Sequence, residues 1–182
     1  MSVSAAQAVQ AAPITLGTPS YNVNDGTCDV DRAVVGDGTS ADPFVAGAKT
    51  ELLELIKDCG NLSGGKVHID LSSSIDMGDS PLDLGQGNTR TTFPNASTGI
   101  VLNGRGATLT MKDDQHVVQL IEGGFEDIEL SDLNFTITGA NPQPFFELGN
   151  SITNPFKVAM NDVKITYTGS TVNFNEEGMF EI

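Results

Sequence analysis

The chain has 182 residues, 38% of them hydrophobic, which suffices for one domain with a core and is too apolar for a chain disordered by composition. It carries 24 acidic residues against nine Lys plus Arg, and the net charge of −15 sets it against nucleic-acid phosphates and anionic lipid surfaces. No apolar run approaches the ~20 residues that a membrane-spanning helix needs. Twenty Gly, with abundant Asn, Thr and Ser, point to turns and strands.

Residues 1–33 read as a loop-rich extension. Its opening, MSVSAAQAVQAAP, lacks the basic start and apolar run of a secretory signal. Two readings stay open: the small-residue tail of a trimmed signal, or a plain flexible terminus. Cys28 lies in this extension and Cys59 at the end of the helix that follows; in a secreted protein the two would close one disulfide. Neither the cysteines nor His68 and His116 show metal-ligand spacing.

The second unit runs over 34–182. It begins with Gly36-Asp-Gly-Thr-Ser40, a dense turn signal, and then Asp42-Pro43. Asp42 suits an N-cap and Pro43 a first helical position, and Phe44, Ala48, Leu52, Leu55, Ile56 and Cys59 recur at spacings of three and four. This pattern predicts an amphipathic helix over about 42–59, closed by Gly60. Val67, Ile69 and Leu71 then alternate with polar residues, which predicts a half-buried strand with His68 on its polar side.

From position 100 the chain repeats. Phe125–Gly139 and Pro155–Gly169 align without a gap at an offset of 30, matching Ile128 to Val158, Leu130 to Met160, Leu133 to Val163 and Phe135 to Ile165. A weaker copy around Leu102, Ala107 and Leu109 precedes them, and Val117–Ile121 is echoed by Phe145–Leu148 and Met179–Ile182. A period of this size means stacked units, and strand alternation within each unit excludes helical repeats. The expectation is an all-β fold: a right-handed parallel β-helix, a solenoid with one N-terminal capping α-helix, in which Leu102, Leu130 and Met160 stack. Asp132 and Asp162 fall at the bend between strands, with Asn103 roughly equivalent in the earlier unit. They read as turn formers, with ligand binding as the alternative.

The GDGTS turn, the amphipathic helix, Gly64-Gly65 and the strand KVHIDL together resemble the start of the pectate-lyase-like superfamily, over about residues 34–182. The resemblance implies an extracellular or surface-associated protein, a virion component included, that acts on or adheres to polysaccharide. The family's hydrolases use clustered Asp with Gly-His-Gly and Arg-Ile-Lys motifs, and neither motif is present. Its lyases hold calcium on carboxylates and use Arg or Lys as base. Arg105 sits in a Gly-Arg-Gly turn that accounts for it by geometry, so no catalytic residue carries over. The nearest approach to a ligand cluster is Asp113 and Asp114 with His116: adjacent carboxylates offer oxygens to Ca²⁺, and the alternative is a solvated turn.

Residues 179–182 align with the opening of a strand, so the chain is expected to stop within a coil, either continued by further C-terminal coils or covered by another chain, for instance in a homotrimer. Whether the protein is an enzyme stays open. One reading is the beginning of a polysaccharide lyase or glycoside hydrolase whose catalytic coils are missing; the other is a non-catalytic structural or adhesive module such as a spike component.

Overall fold

The alternation of apolar and polar residues becomes parallel strands. A computed structural model describes residues 35–59, 66–84, 99–112, 117–120, 127–139, 145–148, 157–168 and 180–181. In chain order these hold β1 (Phe44–Ala46), α1 (Lys49–Cys59), β2 (Lys66–Leu71), β3 (Ile75–Gly78), β4 (Leu82–Asp83) and β5 (Gly99–Asn103). There follow β6 (Thr108–Lys112), β7 (Val118–Leu120), β8 (Asp127–Thr138), β9 (Phe146–Leu148), β10 (Lys157–Tyr167) and β11 (Phe180–Glu181). The fold is all-β in character, with α1 the one helix among the described residues.

The helix is shorter than its apolar pattern predicts. Phe44 and Ala46 point inward, at 2% and 0% exposure, and β1 pairs in parallel with β2, Phe44 against Ile69 and Ala46 against Leu71. Asp42 caps no helix. Its carbonyl accepts the N–H groups of Asp37 (2.9 Å) and Gly38 (3.1 Å), closing the GDGTS turn. Gly36 makes that turn possible: at φ 88° it lies where a Cβ would meet the Pro43 carbonyl oxygen at 2.0 Å. The first helical bond runs from the Leu52 N–H to the Ala48 carbonyl (3.0 Å), and Glu51 in the first turn accepts the Gly47 N–H at 2.8 Å. Two residues of one face, Leu52 and Leu55, are buried, and α1 packs against β1, β3 and β4.

Every strand pair is parallel. One sheet runs β1–β2–β5–β8–β6–β3, with β10 also on β8; the other runs β11–β9–β7–β4. The first is continuous because β8 and β10 each pass through a bend, at Asp132 (φ 46°) and Asp162 (φ 54°), and so span what β5 and β6 do separately. Like residues fall in columns. Phe44, Ile69, Leu102, Leu130 and Met160 are successive register partners, as are Val67, Ile100, Ile128 and Val158. On the far side of the bend Ile75, Leu109, Phe135 and Ile165 do the same, and in the second sheet Leu82, Val118 and Phe146. The predicted stacking of Leu102, Leu130 and Met160 is therefore present in the backbone register.

The core lies between these inner faces. Phe145 closes it, its ring edge-on to Phe135 (centroids 5.0 Å) and to Phe146 (4.8 Å). Each fully buried Leu, Ile or Phe contributes about 1.5–3 kcal/mol of burial. The stack is thus held by column after column of ordinary hydrophobic contact.

Candidate outward polar face

The strands that bury one set of residues present the alternate set to the other side of the sheet. Across β2, β5, β8 and β10 the outward registers are Lys66–Gly99–Asp127–Lys157, His68–Val101–Glu129–Ala159 and Asp70–Asn103–Ser131–Asn161. Neighbouring rungs stand ~4.8 Å apart, so these positions form a polar grid.

Its centre is a three-residue ion cluster. Lys66 Nζ lies 2.9 Å from Asp127 Oδ2 and 3.7 Å from Glu129 Oε2, reaching over the intervening rung. That rung carries Gly99, where a Cβ would meet the Lys66 side chain at 2.7 Å and the Asp127 carbonyl at 2.8 Å. The missing side chain is what lets the bridge cross. The hydrogen bond from Lys66, ahead of any charge effect, holds the Asp127 carboxyl below its ordinary value, and the same bond raises Lys66. Asn161 adds a long contact from its amide to Glu129 Oε1 (3.4 Å).

Beside it Asp70, 6% exposed, receives Arg105. Arg105 Nε donates to Asp70 Oδ2 at 2.9 Å, and Nη2 donates to the same oxygen. Arg105 itself is at φ 50°, in the turn between β5 and β6, where its N–H donates to Asn103 Oδ1 (3.1 Å). The Gly-Arg-Gly turn is there as the sequence suggests, but turn geometry does not exhaust the role of Arg105: its guanidinium covers a buried carboxylate. His68 keeps its surface position, half-buried, with its N–H on the Gly38 carbonyl (2.9 Å).

Asp132 and Asp162 are exposed and both adopt the left-handed backbone of a bend. The Asp132 carbonyl accepts the Gly106 N–H (2.8 Å), tying this bend to the preceding turn. Asn103 is not quite their equivalent. It pairs with Ser131, one position earlier, so Gly104 follows at the place of the bend. Asp113, Asp114 and His116 lie outside the described residues, as do Cys28 and the Cys59 side chain. Among the described residues no three His, Cys, Asp or Glu side chains converge as metal ligands would.

Sequence reasoning missed Lys66, Asp70, Asp127 and Glu129. The period of two places Asp127 and Glu129 on one face, but their partner is remote in the chain and only strand register brings it near. Comparison with protein-family models, curated proteins and solved structures finds no match to this chain.

Proposed function

We propose that this chain forms the capped first coils of a right-handed parallel β-helix, and that its outward polar face adheres to polysaccharide in an extracellular or surface-bound setting. The supporting observation is the polar grid itself. Amide, hydroxyl and charged groups recur at the strand spacing across four rungs, a repeat that suits a polymer bearing hydroxyls at regular intervals. Adhesion is favoured over cleavage by one detail. Glycoside hydrolysis needs two carboxyl groups available across a bond, roughly 5–9 Å apart. Here Asp127 and Glu129 share one lysine, Lys66, which neutralises both. The net charge of −15 directs the face toward neutral chains, or toward acidic ones bridged by Ca²⁺.

Affinity electrophoresis of the intact chain tests this, in gels containing dextran, polygalacturonate or alginate, each with Ca²⁺ or a chelator. Retardation by one polymer that is lost in Lys66→Ala and Glu129→Ala supports adhesion. Reducing sugar or unsaturated uronate released during the run would support the enzyme reading instead. Unchanged mobility in every gel removes the polysaccharide reading and leaves the second one, a purely structural spike-type module. That reading is favoured by the regular stack and predicts a stable trimer.

A further inference from the structure

The last long strand, β10, pairs with β8 on one side, and no described residue pairs with it on the other. Exposure changes sharply at this rung. Leu130 is 0% exposed and its register partner Met160 is 41%; Val158 and Ile165 are half-buried where Ile128 and Phe135 are fully enclosed. The outward edge therefore offers unpaired backbone groups above a partly open apolar floor.

The bend restricts what can pair there. Inward positions on β8 are 128 and 130 before the bend and 133, 135 and 137 after it, so the phase of alternation slips by one at Asp132. β10 follows the same register through Asp162. An antiparallel strand bent at the same place would set its inward residues opposite 157, 159, 161, 164 and 166, the outward positions of β10. A straight strand would match only one half. A parallel strand with the same slip matches both, as β8 already does.

We infer that the free edge of β10 is an interaction surface for a parallel extended segment, apolar opposite Val158, Met160, Val163 and Ile165, with Gly, Asn or Asp opposite Asp162. The inference stands on strand register alone and holds whether or not the outward face meets a polysaccharide. It also tells against a second copy docked edge to edge by a two-fold axis, because such a copy runs antiparallel.

The test titrates the intact chain with a fluorescent peptide of residues 157–168. Saturable binding is expected, with slowed hydrogen exchange at β10 amides and none at those of β5. The Asp162→Val peptide should bind about tenfold more weakly, since a β-branched residue resists the left-handed bend. Met160→Asp in the chain should abolish binding with little change in its own unfolding midpoint. Absence of saturable binding, or equal binding by the Asp162→Val or a scrambled peptide, overturns the inference. So does dimerisation of the chain that Met160→Asp disperses, which would assign the edge to a second copy.

Discussion

Arg105 and Asp70 come from different strand units, and their side chains meet so that one exposed guanidinium seals one buried carboxylate. Removing the arginine leaves Asp70 desolvated without its charged donor. Arg105→Ala should cost about 1.5–3 kcal/mol, the range for a hydrogen bond to a charged group. The double variant with Asp70→Asn should lose less than the sum of the two single losses. Urea unfolding of the four proteins measures both quantities.

Leu130 and Met160 occupy one column, yet they should respond differently to truncation. Leu130→Ala empties a site enclosed on both sides and should cost about 2–5 kcal/mol. Met160→Ala, on the open rung, should cost under about 1 kcal/mol, because its side chain gains little by burial. Thermal unfolding of both variants tests the gradient; equal losses would mean that the stack does not end at β10.

The pairing of Lys66 with Asp127 gives a defined pH dependence. Asp127 titrates lower in the folded chain than its ordinary 3.8, so its contribution is present above that value and disappears as pH falls through the folded value. Lys66 is raised above 10.5, so its contribution is complete below that value and is lost as pH climbs through the folded value. The pair is partly solvated and contributes about 0.2–1 kcal/mol. Lys66→Met should therefore be less stable than the unsubstituted chain near neutrality, and the difference should shrink below about pH 4. Urea midpoints between pH 3 and pH 8 follow it.

Gly104 is a second position where no side chain fits. A Cβ there would meet the Asp132 carbonyl at 2.4 Å and Leu133 Cδ1 at 2.7 Å. Gly104→Ala should cost about 1–3 kcal/mol through forced displacement of the β8 backbone. At the bend itself Asp162→Gly should be near neutral, whereas Asp162→Val should cost about 1–2 kcal/mol. Differential scanning calorimetry of the three variants separates backbone geometry from any role of the carboxylate.

Local sequence carried much of this. The alternation in Asp127–Thr138, its copy thirty residues on, and an aspartate at each bend were enough to foresee parallel stacking and its columns. They were enough because burial on one face and turn chemistry are both written in consecutive residues. The same local logic misjudged Phe44–Ala46. Its apolar residues fit a helical period as well as a strand, and the deciding partner, β2, lies across the helix in the chain. The outward face was not legible for the same reason. That Lys66 reaches Asp127 depends on two successive strand registers and on the bare backbone at Gly99, which no short window contains. Sequence by itself determined which residues turn inward and where the chain bends. Only the tertiary register decided which polar side chains become neighbours, because that depends on how separate strands align across the sheet.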